Sequence, residues 1–229
     1  MIMSIAANLD EIRKQINHSA LKVNRDPKSI RLIAVTKYVS VAEMNEAIKA
    51  GVNEIGENRV QDGIAKFPFL LGKVTKHMIG TLQTNKVKPA LEHFDLIHSV
   101  DRISLVNELA KQSAKIQKKV EVLIQLNLTG EATKHGIRAD ELPGLIERIC
   151  SSEYLIPAGL MTMGPMTEDP ETVRPIFRRM RIIFEDAARD LKLGPNWRYL
   201  SMGMSQDYQV AVEEGANLLR IGTAIFKPE

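Results

Sequence analysis

A lysine at the end of an apolar run is where this sequence first offers covalent chemistry. Lys37 follows Leu32-Ile33-Ala34-Val35-Thr36, so its amine projects from a strand end over a largely apolar interior. An amine that loses hydration there has a lowered pKa, and its neutral form is a nucleophile able to join an aldehyde. Position alone favours the plainer reading, a solvated strand-end lysine. Asn58, in Gly56-Glu57-Asn58-Arg59, offers an amide to a ligand beside that lysine, while Glu57 or Arg59 reads equally as half of a surface ion pair. Ser201-Met202-Gly203-Met204-Ser205 leads into a helix through Gln206 to Glu214, closed by Gly215. Ser205 is then a helix cap with free backbone N–H groups beside it, an arrangement that accepts anions. Gly222-Thr223 adds backbone approach and a hydroxyl; without an anion, Ser205 is simply a cap and Gly222 a tight turn. Arg220 stands just before that glycine, and if it points inward it is a permanent cation that must be matched by an acceptor.

These groups act together only if the elements around them bring their ends to one place. Short Val- and Ile-rich runs alternate with segments of helical periodicity, the pattern of a parallel sheet with crossover helices. Strands are expected at Ile30 to Lys37, Glu54 to Asn58, His77 to Gly80, Leu96 to Val100, Val120 to Leu128, Tyr154 to Met163, Arg198 to Met204 and Leu218 to Phe226. Ser40-Val41-Ala42-Glu43 is a capping box, and Gly51 suits the end of that helix. Thr167 to Pro170 opens a longer helix whose Val173, Ile176, Phe177, Met180, Ile183, Phe184, Ala187 and Leu191 share one face. An amphipathic helix through Ile5, Leu9, Ile12 and Ile16 precedes the first strand and covers the barrel's bottom or side. The fold class is α/β: a single (β/α)8 TIM barrel with an extra N-terminal helix, residues 1–229 forming one domain, with an open doubly wound sheet as the alternative. Barrels carry their sites at the C-terminal strand ends and hold phosphate with the loops after strands seven and eight. The strands run out into Lys37, Glu57-Asn58, Gly80-Thr81, His98-Ser99, Asn127, Thr162, Ser205 and Arg220-Gly222-Thr223, so the polar groups gather where a barrel needs them.

Composition excludes other classes. The charge of +3 arises from 31 basic and 28 acidic residues dispersed along the 229, with no basic stripe to follow a phosphate backbone, so nucleic acid is not an expected partner. The longest apolar run, Tyr154 to Gly164, is far short of the ~20 residues that span a membrane, and no signal-peptide core precedes Asp10 and Glu11. A cytoplasmic protein is expected, with monomer as the default. Cys150 is the single cysteine, expected as a buried inert thiol beside Leu145, Ile146 and Ile149, and no Cys/His spacing forms a metal site. Met161, Met163, Met166, Met202 and Met204 read as core filling before they read as a sulfur-lined pocket. His98 and His135 have no evident partner, and Lys111, Lys115, Lys118 and Lys119 read as a solvated helix face.

The lysine, the phosphate loops and the arginine together describe one ligand. An aldehyde suits the amine, a phosphate the loops, and a pyridine nitrogen the arginine: pyridoxal 5′-phosphate. An aldolase-like, phosphate-binding barrel also fits the first two but leaves Arg220 without a role. The segments Ala34-Val35-Thr36-Lys37, Gly56-Glu57-Asn58-Arg59-Val60-Gln61, His77-Met78-Ile79-Gly80-Thr81-Leu82-Gln83-Thr84-Asn85-Lys86, Ser201-Met202-Gly203-Met204-Ser205 and Arg220-Ile221-Gly222-Thr223-Ala224-Ile225-Phe226 closely resemble the pyridoxal phosphate homeostasis proteins, over nearly the whole chain. The resemblance implies a barrel like the N-terminal domain of alanine racemase, with the cofactor as a Schiff base on Lys37. It also implies Arg220 facing the pyridine nitrogen, Ser201, Ser205, Gly222 and Thr223 on the phosphate, Asn58 near the ring, and His77 and Met204 as second contacts. Two departures, Lys227-Pro228-Glu229 after Phe226 and Thr129-Gly130, touch none of these.

Two functions follow from that resemblance. In the first, the protein buffers or delivers pyridoxal phosphate to apo-enzymes, without catalytic turnover, and affects vitamin B6 and amino-acid balance; a guanidinium does not readily protonate the ring nitrogen, which suits storage. In the second, it is a single-domain amino-acid racemase or related enzyme, which needs a second base opposite Lys37. None of Tyr38, Tyr154, Tyr199 and Tyr208 is placed by a motif as that base, although Tyr208 lies near the phosphate loop, and the chain stops after its eighth strand.

Overall fold

The structure, a computed structural model, describes residues 4–131, 135–165 and 167–227; Met166 and Pro228-Glu229 lie outside the described residues. Eight parallel strands close into a barrel in sequence order: β1 (Arg31–Val35), β2 (Glu54–Glu57), β3 (Thr75–Met78), β4 (Leu96–Val100), β5 (Val120–Gln125), β6 (Leu155–Met161), β7 (Tyr199–Ser201) and β8 (Leu218–Ile221). The closing pair, β1 with β8, is in register from Arg31–Leu218 to Ala34–Ile221. The adjoining seam is much shorter, since β7 and β8 pair at a single position, Ser201 with Leu218. Helices α1 (Ile5–Lys22), α2 (Val41–Lys49), α3 (Val60–Lys66), α4 (Val87–His93), α5 (Ile103–Lys115), α6 (Leu142–Cys150), α7 (Arg174–Asp190), α8 (Tyr208–Glu213) and α9 (Thr223–Phe226) surround it.

Apolar side chains divide into two layers. Ile33, Leu96, Leu123, Ala158, Met161 and Leu218 form a small cluster apart from the larger one that joins strands to helices. The expected start of α2 is present: Ser40 Oγ accepts from Glu43 N, and Glu43 Oε2 accepts from Ser40 N at 2.8 Å. In α7 the buried face carries Phe177, Met180 and Ala187, each full burial contributing about 1.5–3 kcal/mol for the larger side chains. Leu191, expected on that face, follows the last helical residue and is exposed. Cys150 is likewise exposed rather than buried, because the ~100° helical step from Ile149 turns it off the apolar face. Lys118 is not solvated as expected: its Nζ donates to Leu91 O at 2.7 Å.

The first helix lies on the barrel's side. α1 packs against α2, α8 and α9, buries Leu9, Ile12 and Ile16, and donates from Asn8 Nδ2 to Ile225 O at 2.9 Å. At the other end of the expected elements, the run Leu218 to Phe226 is not one strand: β8 stops at Ile221, and Thr223–Phe226 turns as α9. No described helix is long and apolar enough to cross a membrane.

Candidate functional site

The C-terminal strand ends open into a cleft of ≈1440 Å³ lined by Lys37, Asn58, Met204, Ser205, Arg220, Gly222 and Thr223, with Asn8, Glu11, Ile12 and Gln15 of α1 along one edge. Lys37 occupies a tight turn in which Val39 N donates to Thr36 O at 3.0 Å and Tyr38 has φ +65°. A non-glycine residue in that region is strained, and such strain persists where surrounding contacts impose it. Here Lys66 imposes it: Nζ donates to Thr36 O at 2.9 Å and to Glu57 Oε1 at 3.0 Å, while Thr36 Oγ1 donates to the same Glu57 oxygen at 2.7 Å. Glu57 is therefore fully buried beneath the turn, paired with Lys66 rather than half of a surface ion pair. Lys37 itself is exposed, so the desolvation expected of it is not supplied by the protein alone, and its amine has no hydrogen-bond or ion-pair partner among the described residues.

Across the cleft, the loops after β7 and β8 meet through Ser205. Its Oγ accepts from Gly222 N at 3.3 Å and Ala224 N at 3.2 Å, so this serine caps α9 rather than the helix that follows it in sequence. The latter, α8, starts only at Tyr208; Asp207 precedes it and turns its carboxylate back to accept from Met204 N at 2.5 Å. Asp207 went unnoticed in the sequence because an acid at a helix start has an ordinary explanation; burial raises its pKa, offset in part by the Met204 N–H and Arg220. On the far side Gly80 is obligatory: a Cβ there would lie 2.3 Å from Asn58 O, so only glycine lets β2 and β3 converge to present Asn58.

Arg220 lies at the cleft floor, 4% exposed, donating to Thr162 O at 2.8 Å and Ser201 Oγ at 2.7 Å. No described carboxylate is within ion-pair distance of it; complete burial lowers its pKa to about 10, with Asp207 acting in the opposite direction. Below it the polar groups continue in single file. Ser201 Oγ is 3.0 Å from His98 Nδ1, His98 Nε2 is 3.0 Å from His77 Nδ1, and His77 Nε2 is 3.2 Å from Glu54 Oε2, close but too bent for a regular hydrogen bond. Arg31 donates to Glu54 Oε1 and to Tyr199 OH. Burial, reinforced by His77, Arg220 and Arg31, holds the His98 imidazole well below the usual histidine range. For Glu54 burial acts upward, but His77 and Arg31 outweigh it and keep the carboxyl below its ordinary value.

Two residues expected at the ligand lie beneath the cleft. Ser201 and His77 are fully buried and do not line the cleft; their polar atoms are committed beneath Arg220. His98, expected without a partner, has two, and His135 lies 3.9 Å from Asp101. The alternation of Leu96 and His98 along β4 was the available signal, since residues two apart share a face. Met161 and Met202 are core, whereas Met163 and Met204 line the cleft. Tyr208 OH donates to Gln15 Oε1, and burial raises its pKa; Tyr38 and Tyr208 line the cleft, whereas Tyr154 and Tyr199 do not.

This closed parallel barrel has the fold of the alanine racemase N-terminal domain, whose family model matches residues 4–229. The chain is 36% identical over 225 residues to the pyridoxal phosphate homeostasis protein of Aquifex aeolicus, covering 98% of each, and 37% identical over 226 residues to that of Escherichia coli K12, covering 97% of this chain and 95% of the relative. The solved structure of PipY from Synechococcus elongatus PCC7942 with PLP bound superposes with a TM-score of 0.85 at 33% identity, covering 97% of this chain and 100% of that one. The chain belongs to the pyridoxal phosphate homeostasis protein family.

Proposed function

We propose that this protein binds pyridoxal 5′-phosphate on Lys37 and buffers or delivers it inside the cell, in the cytoplasm, to apo-enzymes that need it. The observation that carries the reading is the convergence on one cleft of three dissimilar groups: an amine at Lys37 without a partner among the described residues, the Ser205 hydroxyl with the Gly222 and Ala224 N–H groups gathered on it, and a buried guanidinium at Arg220. Those groups fit an aldehyde, a phosphate and a ring nitrogen respectively. When bound, the cofactor supplies an electrophilic carbon and a ring that can withdraw electrons from its neighbour. Ser205, Gly222 and Thr223 are assigned to the phosphate, Asn58 and Met204 to the ring, and Arg220 to its nitrogen. Ser201 is assigned to holding Arg220, and His77 to the groups below it.

The carrier role rests on what the chain's residues do to protons. Arg220 donates hydrogen bonds but gives up a proton reluctantly, and the Tyr208 hydroxyl is engaged by Gln15, so neither equips the cleft for proton transfer opposite Lys37. Visible absorption with added pyridoxal phosphate, before and after borohydride, tests the reading together with peptide mass analysis and Lys37→Ala. A band trapped as a reduced adduct on Lys37 and lost in the variant is expected; labelling of surface lysines equally in both proteins overturns it. Exchange of the Cα hydrogen of L- or D-amino acids in deuterated water at a catalytic rate would replace the carrier with an enzyme.

A further inference from the structure

The file of buried groups beneath the cleft admits one complete assignment of its protons. A guanidinium only donates, so Ser201 Oγ must accept from Arg220, and the hydroxyl has its own proton to place. The other polar atom beside it is His98 Nδ1 at 3.0 Å, which must therefore be bare. A neutral His98 then carries its proton on Nε2 and donates to His77 Nδ1, 3.0 Å away. His77 in turn carries its proton on Nε2, facing the Glu54 carboxylate at 3.2 Å, where Arg31 closes the file with a second donor. Every hydrogen bond in the file points from Arg220 toward His77, and the last step, His77 Nε2 to Glu54 Oε2 at 3.2 Å, is a charge contact too bent for a regular hydrogen bond.

The reverse order has a defect. With His98 protonated on Nδ1, both Arg220 and His98 would donate to Ser201, whose own proton would have no acceptor in a fully buried position. Among the described residues the Arg220 guanidinium has no carboxylate within ion-pair distance and donates to Ser201 Oγ and Thr162 O. The His98 tautomer therefore decides whether the serine proton has an acceptor that turns it away from the guanidinium.

We propose that Glu54, His77 and His98 form a proton-ordered relay that takes the Ser201 proton at His98 Nδ1 and so keeps the serine oxygen turned to Arg220 as an acceptor, making His98 a positioning residue for the guanidinium that meets the ring nitrogen. The inference deepens the functional reading above and rests on it for the identity of the ligand. It gives β3 and β4 a part in a site whose direct contacts lie on or just after β1, β2, β7 and β8. Neighbouring hydrogen bonds in such a chain polarise one another, so the Glu54 charge reaches Arg220 through neutral groups, without a direct ion pair.

The ligand-free protein supplies the first test. Histidine-selective 15N NMR should show His77 and His98 both protonated on Nε2 with a bare Nδ1; a His98 protonated on Nδ1 overturns the relay. In His77→Phe the Nδ1-protonated form of His98 should appear, a change that mere space-filling would not produce; an unaltered tautomer counts against the proposal. Titrations of pyridoxal phosphate with borohydride trapping on Lys37 supply the second. His98→Asn keeps an oxygen able to accept from Ser201 and should bind within about threefold of the wild type, whereas His98→Leu should lose roughly tenfold or more. Equal affinities for the two variants, both folded by circular dichroism, overturn the positioning role. Failure of the wild type to take up pyridoxal phosphate while its tautomers are as assigned sinks the functional reading instead, and with it the claim that the relay serves a ring nitrogen.

Discussion

Replacing Lys66 by methionine strikes the support beneath the Lys37 turn without touching the cleft. Glu57 is fully buried, one of its oxygens has no partner, and the other accepts from Lys66 and Thr36. Removing the cation strands a buried carboxylate, which costs about 3–5 kcal/mol where no water reaches it. The Lys66 side chain is 18% exposed, so some water enters and the lower end, about 3 kcal/mol, is expected. For a chain of this size that is a fall in Tm of roughly 6–12 °C. Circular-dichroism melts of wild type, Lys66→Met, Glu57→Gln and the double variant measure it, with the double variant recovering about 2 kcal/mol relative to additivity. Because Lys66 also donates to Thr36 O, the fraction of protein trapped by borohydride on Lys37 should fall with it. A loss below about 1 kcal/mol, the range of exposed pairs, or strict additivity in the cycle, refutes the reasoning.

Gly80→Ala places a Cβ 2.3 Å from Asn58 O and forces the backbone apart, so a loss of about 1–3 kcal/mol in denaturant unfolding is expected, together with weaker ligand binding. Ser205→Ala removes the acceptor shared by Gly222 N and Ala224 N; the ligand-free Tm should drop by the worth of a helix cap, about 1 kcal/mol or roughly 2–4 °C. His98 is depressed in the fold, so the unfolded chain takes up a proton first. Its share of stability is whole above the ordinary histidine pKa of about 6.5 and is lost as pH falls below it, by up to about 1.4 kcal/mol per pH unit. A parallel series in His98→Asn should lack that component of the slope.

The barrel was legible because its repeating unit is local: each strand is a short apolar run, and helices such as α2 announce both ends, at Ser40 and Gly51. What failed was local too. Leu218 to Phe226 is apolar enough to serve as strand or short helix, and periodicity over so few residues does not separate them; the break falls at Gly222. Ser205 does cap a helix, but one reached through space, which adjacency in sequence conceals. The cleft residues were found by type and position at strand ends. Their supports were not, because Lys66, Glu54 and His98 acquire meaning only when the closed barrel brings together β2, β3, β4 and the end of α3.

The thinnest seam of the barrel runs between β7 and β8, which pair only where Ser201 meets Leu218, and Arg220 reaches across it to the Ser201 hydroxyl. In the proposed binding mode, a cofactor joined to Lys37 just after β1 and held by the loops after β7 and β8 would be a clasp over that seam. Occupancy then stabilises the fold in proportion to the logarithm of ligand concentration over Kd. Under the proposed binding mode, then, one ligand ties the last strands of the barrel to the first, and the same short seam that leaves Arg220 its reach to Ser201 is the part of the fold that binding reinforces.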